Sequence, residues 1–193
     1  MNYASKNGHV NVVRMLIING ADVNAKDNDA NTPLYWACNH GHVNVAKLLI
    51  KNGAKVNAKN DAGGTPLHTI HGYVDVAKLL IEKGADINAK SNRGNTPLHK
   101  AIQSNNEHVN VIKLLIVNGA DVNAKCKLGW TPLHEASERC CNVDVAKLLI
   151  KNGAEVNAKN NSGNTPLHKA IRMKHVDVIK MLIKYGAEFN AKK

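Results

Sequence analysis

Aromatic residues are scarce in this chain: one Phe, two Trp and four Tyr make up 4 % of 193 residues. Its core must therefore be built from aliphatic and alanine side chains. No apolar run approaches the ~18 residues that a membrane-spanning helix requires. The opening Met1-Asn2-Tyr3-Ala4-Ser5 lacks the basic segment and apolar stretch of a secretory signal. Four cysteines, Cys38, Cys126, Cys140 and Cys141, have no framework spacing, so a reduced intracellular setting is expected. There is no Gly-rich phosphate loop; Gly63-Gly64 and the other hairpin glycines read as turn residues. Acidic residues are also the minority, 15 against 26 Lys and Arg, for a formal charge of +11. That balance suits an acidic partner, a nucleic acid or an anionic surface. It equally describes a soluble surface whose default polar residue is Lys.

What the chain has in quantity is repetition. Thr65-Pro66-Leu67-His68 recurs at Thr96-Pro97-Leu98-His99, Thr131-Pro132-Leu133-His134 and Thr165-Pro166-Leu167-His168, and Thr32-Pro33-Leu34-Tyr35 is a variant. The threonines are spaced 33, 31, 35 and 34 residues apart. A fixed period in this range indicates a stacked array in which each unit contacts its neighbours. Thr is a good N-cap, because its hydroxyl accepts from an unpaired amide of the first turn. Pro loses nothing in the next position, where its missing N–H has no partner anyway. Each copy therefore starts a helix.

The tetrapeptide, the period near 33 residues and the Gly-Ala-Asp-Val-Asn-Ala run that closes the units together resemble the ankyrin repeat. The resemblance covers essentially the whole chain. It implies an all-α solenoid of helix-turn-helix units joined by β-hairpin loops, with a concave face lined by hairpins and first helices. We expect a single array over 1–193: a partial unit at 1–26, then full units at about 27–59, 60–90, 91–125, 126–159 and 160–193. In helix two of the second unit, Val45, Leu48 and Leu49 form an amphipathic face. Unit three is short near Ile70-His71, which predicts a shortened first helix. Unit four is long at Ser104-Asn105-Asn106-Glu107, and unit five replaces the usual Gly-His turn with Cys140-Cys141. Such changes fall between helices, where closure entropy rises only slowly with length. Neither end reads as a polar cap. A segment of a longer array, a covered end or end-to-end self-stacking is therefore expected.

No residue constellation reads as catalytic, and no metal or cofactor is expected. His68, His99, His134 and His168 form a ladder, one per unit, with a spacing near ~10 Å from ordinary helix packing. That is too wide for shared zinc ligation, which needs bonds near ~2 Å. The family resemblance implies that each is structural, bonded near the capping Thr. Cys140-Cys141 with His134 lacks any paired Cys-x-x-Cys spacing.

Two further ladders are visible. Lys26, Lys59, Lys90, Lys125, Lys159 and Lys192 stand one per hairpin, and Arg93, Lys100, Lys127 and Lys169 add to them. On a concave face they would form a basic strip that steers an acidic partner, unless they are solvated charges paired with Asp22, Asp86, Asp121, Glu155 or Glu188. Nucleic acid is disfavoured, because aromatic interleaving is missing. Asn24, Asn57, Asn88, Asn123, Asn157 and Asn190 form the other ladder, and hairpin hydrogen bonding is the simplest reading. The contexts of Asn24 and Asn123, with Leu16 and Leu115 eight residues earlier, also resemble ankyrin sites modified by an asparaginyl hydroxylase.

The two tryptophans break the pattern. Trp36 follows Tyr35 where other units carry Thr69, Lys100, Glu135 and Lys169; polar equivalents predict an exposed position. Trp130 precedes Thr131 where others carry Asn31, Gly64, Asn95 and Asn164. Exposed aromatics among polar groups suggest binding hot spots. With Lys127 and Leu128 beside Trp130, units four and five are the expected contact. The expected function is non-catalytic protein binding through Trp36, Trp130, Leu128, Lys127, Arg93, Tyr35, Lys59, Lys90 and Lys125. Binding of nucleic acid or an anionic surface by the Lys strip is the competing reading, and a structural spacer is a third. The Asn, Lys and Ile bias resembles arrays of intracellular bacteria and large DNA viruses, which implies a cytoplasmic location or delivery to a host cytoplasm.

Overall fold

The computed structural model describes residues 1–104, 109–138 and 143–189. Cys140-Cys141, Asn105-Asn106-Glu107, Asn190 and Lys192 lie outside them. The helices are α1 (Asn2–Lys6), α2 (Val10–Ile18), α3 (Pro33–Asn39), α4 (Val43–Lys51), α5 (Val74–Glu82), α6 (Pro97–Gln103), α7 (Val109–Val117), α8 (Pro132–Glu138), α9 (Val143–Lys151), α10 (Pro166–Met173) and α11 (Val176–Lys184). Between α4 and α5 the first helix of unit three is a single 3₁₀ turn, Pro66–Thr69. The two-residue deletion thus removes more than half a turn: too few residues remain to close successive α-type hydrogen bonds. No described residue is in a strand. The hairpins are tight turns closed by backbone bonds, as in Asp27 N–H to Asn31 O (3.0 Å) with Ala30 N–H to Asp27 O (3.0 Å), and Cys126 N–H to Trp130 O (3.0 Å) with Gly129 N–H to Cys126 O (2.9 Å).

Capping works as the sequence dictates. Thr32, Thr96 and Thr165 adopt extended backbone angles and accept from the amide three residues on, with Pro in the first turn. First helices pack on first helices and second helices on second helices, unit after unit, giving two parallel rows. The Leu of each tetrapeptide (Leu34, Leu67, Leu98, Leu133, Leu167) is buried, as are the second-helix pairs Val45/Leu49, Val76/Leu80, Val111/Leu115, Val145/Leu149 and Val178/Leu182. Burying each such Leu contributes about 1.5–3 kcal/mol. In α4 the buried face is Val45, Ala46 and Leu49, while Leu48 is only half-buried.

Polar contacts join one unit to the next. His68 accepts the Thr65 amide at Nδ1 (3.1 Å), and its Nε2 lies 3.1 Å from Asn95 O in the following unit. A backbone N–H only donates and a carbonyl only accepts, so the ring is neutral with its proton on Nε2. His99 and His134 repeat the bridge to Trp130 O (3.1 Å) and Asn164 O (3.0 Å). Burial pushes all three histidines below their ordinary value, partly offset by those carbonyls. The asparagine ladder is a second bridge. Asn24 donates to Gly53 O (3.1 Å) and accepts from Lys55 N (2.8 Å). Asn57, Asn88, Asn123 and Asn157 donate to Gly84, Gly119, Gly153 and Gly186 in the same way. A third bridge joins the hairpin tips through Asp61 N to Asp29 O, Asn92 N to Ala62 O, Lys127 N to Arg93 O and Asn161 N to Leu128 O, at 2.9–3.2 Å.

Candidate functional site

The hairpin tips and first helices line a run of adjoining concavities. One of them, about 670 Å³, lies between units four and five and is lined by Arg93, Lys127, Leu128 and Trp130 together with Asn92, Asn95, Gln103, Cys126, Glu135 and Glu138. Four residues expected from the sequence to contact a partner thus surround one cavity. Lys127 and Arg93 are exposed at its rim, and Leu128 is 67 % exposed. The tips are held in close order here. A Cβ on Gly94, whose φ is +76°, would stand 2.8 Å from the Lys127 nitrogen, so only Gly allows the two hairpins to meet.

Trp130 is fixed before any partner arrives. Its carbonyl accepts from His99 and from the Cys126 amide. Its ring carries the Lys169 ammonium 3.6 Å from the centroid. Lys169 is buried and bonded to Glu138 (2.7 Å), which Arg172 also approaches at 3.7 Å. A cation held over an indole in a desolvated setting contributes roughly 1–2 kcal/mol. Below the rim, buried Glu135 accepts from Gln103 (2.9 Å). Gln103, Glu135 and Glu138 were not singled out from the sequence. For Glu135 the signal was a first-helix column that carries Lys100 and Lys169 in other units; Gln103 and Glu138 share a column with Asn39 and Arg172, which offers no such contrast.

Trp36 sits elsewhere and differently. The exposed position expected from its polar equivalents is not found: Trp36 and Lys100 are half-buried, while Thr69, Glu135 and Lys169 are buried. Stacking first helices side by side covers this column, and neighbours satisfy its polar atoms. The Trp36 indole donates to Asp27 Oδ2 (2.8 Å), Tyr35 meets it edge-on, and Lys6 lies 4.9 Å over the ring. Burial would raise the Asp27 carboxyl, but hydrogen bonds from Trp36, Asn31 and the Asp29 amide together hold it below its ordinary value. Tyr35 stands where other units carry the bridging His. Burial, partly offset by a hydrogen bond with Asn60, and the charges of Asp27 and Asp29 raise its hydroxyl. Tyr35 and Trp36 line a concavity of about 460 Å³ with Asp29 and Asp61.

The described ladder lysines are exposed, and three of them reach across to the backbone of the next unit. Lys26 Nζ reaches Lys59 O (3.4 Å), Lys59 Nζ reaches Lys90 O (3.4 Å) and Lys125 Nζ reaches Lys159 O (3.2 Å). The pairing with Asp22, Asp86, Asp121, Glu155 or Glu188 that the sequence allowed is not among the described ion pairs, which join Lys147 to Asp144 and Lys169 and Arg172 to Glu138. Asn24 and Asn123 have both ends of their amides occupied by the next unit. Among the described residues, no three His, Cys, Asp or Glu gather to hold a metal ion, and no helix is long and apolar enough to cross a membrane.

A comparison with curated protein sequences found no match. The ankyrin repeat domain of human ASB11 is 31 % identical, with a TM-score of 0.84 over 97 % of this chain and 83 % of that one. The family described as ankyrin repeats (3 copies) matches residues 1–91, 60–126 and 98–193. The chain therefore belongs to the ankyrin-repeat family, whose repeats are generally protein–protein interaction modules.

Proposed function

We propose that this chain is a non-catalytic binding module that holds a protein partner on its hairpin and first-helix face, centred between units four and five. One observation carries the reading: Arg93, Lys127, Leu128 and a pre-fixed Trp130 surround a cavity of about 670 Å³. An apolar anchor beside a rigid aromatic, rimmed by charges, is the arrangement from which interface hot spots are made. Trp130 loses little freedom on binding, since Lys169 and His99 already hold it. Arg93 and Lys127 steer acidic groups toward the cavity. Tyr35 and Trp36 line a further concavity of the same face, and Lys59, Lys90 and Lys125 stand outside the cavities. Cys38 and Cys126 are free thiols, which suits a reducing cytoplasm.

The test is capture from a eukaryotic lysate by wild type and by Leu128→Ser/Trp130→Ala, at low and high salt. A partner retained at high salt and lost in the variant supports the reading. Capture that ignores the substitutions and vanishes with salt contradicts it and leaves a basic surface attracting anions.

A further inference from the structure

We infer that the groove reads charge order. Its occupant is an extended peptide segment of a partner, with basic residues over Asp29 and Asp61, and acidic residues plus one bulky apolar side chain over Arg93, Lys127, Leu128 and Trp130. This rests on the protein-binding reading above and adds the partner's chemistry to it.

The concavities form one path. The cavity of about 460 Å³ at units two and three shares Tyr35, Asn39, Asn60 and Ala62 with one of about 380 Å³ at units three and four. That one shares Asn92, Arg93 and Asn95 with the cavity at units four and five. Across four units the path runs about 30 Å at ordinary packing distances, room for roughly nine extended residues. Its ends differ in sign. The first cavity is lined by Asp29 and Asp61 and by no cation. At the other end Arg93 and Lys127 stand exposed on the rim.

Lys6, over the Trp36 ring, is a single cation beside the two carboxylates of the first cavity, and the other charged groups are committed or lie between the ends. Asp27 is committed to Trp36 and Asn31. Glu135 is buried beneath Gln103, and Glu138 carries Lys169 and Arg172. Lys100 lies midway. The ladder lysines line none of the three cavities. The order of the tips is fixed, because each is hydrogen-bonded to the next. A nucleic acid fits this path poorly, since its phosphates would pass Asp29 and Asp61.

A random peptide library of about 12 residues, selected on the full chain and sequenced, tests the inference. Enriched peptides should separate basic from acidic residues, with an apolar residue in the acidic block. By fluorescence anisotropy, Asp29→Lys/Asp61→Lys should weaken a synthetic enriched peptide about tenfold, as loss of two exposed charge pairs implies. The same variant should leave a peptide cut to the acidic block unchanged. Enrichment of acidic residues along the whole length, or of charges in no order, overturns charge reading while leaving protein binding standing. No enrichment over Leu128→Ser/Trp130→Ala also overturns it, and lysate capture then judges the binding reading separately. Circular dichroism confirms that each variant is folded.

Discussion

At units two and three the tips carry Asp27, Asp29 and Asp61, and the Tyr35–Trp36 pair is tied into the protein. At units four and five the tips carry Arg93 and Lys127, with Leu128 exposed and Trp130 held at the groove. The hairpins are built alike and bonded alike, and both tryptophans are half-buried, yet one hydrogen-bonds a carboxylate while the other lies under a buried lysine at the wall of the larger cavity. The charge difference arises from single residues at equivalent tip positions, Asp29 against Arg93 and Asp61 against Lys127. Function in such an array is written on the surface of a shared scaffold.

The largest way to break the comparison is acid. Units three to five contain a neutral bridging His, whereas unit two has Tyr35. Burial holds His68, His99 and His134 below 6.5, so the unfolded chain takes up protons first. Their contribution is complete above pH 6.5 and is lost as pH falls below it, levelling off beneath the folded values. Urea melts at falling pH should show stability dropping by up to about 1.4 kcal/mol per pH unit for each His. A flat profile would contradict neutral bridges. Next, Glu138→Ala strips Lys169 of its carboxylate and should cost about 2–3 kcal/mol in thermal melts; Lys169→Met in the same background should recover most of it. Trp130→Ala should weaken the partner by about 2 kcal/mol, near thirtyfold, in titration calorimetry. Trp36→Phe removes the hydrogen bond to Asp27 and should cost about 1 kcal/mol of stability with affinity unchanged; an equal loss of affinity would erase the distinction between the two tryptophans. Smallest, Ala30→Gly and Lys174→Gly relieve left-handed backbones at φ of +61° and +60°, and each should gain up to about 1 kcal/mol.

Much of the fold was legible because it repeats: five capping tetrapeptides at near-constant spacing dictate helices, their partners and the buried Leu ladder. The candidate site was legible where the pattern breaks, since Leu128 and Trp130 line one cavity. What sequence columns hid were cross-unit contacts. Lys169 and Trp130 are 39 residues apart in sequence, and nothing local says that the lysine is buried over the ring. Trp36 misled for the same reason, since a polar column reads as solvent until neighbouring helices are stacked against it. The Lys and Asn ladders were visible as periodicities, but their bonds to the next unit's carbonyls required the geometry.

Photo-crosslinking locates the contact most directly. A benzophenone amino acid is placed at position 128, beside Trp130, or at position 113, on the outer helix α7, and the chain is irradiated with its captured partner. The account predicts adducts from 128, lost with Trp130→Ala, and none from 113. Adducts from 113 with none from 128 would place the partner on the opposite face and contradict it.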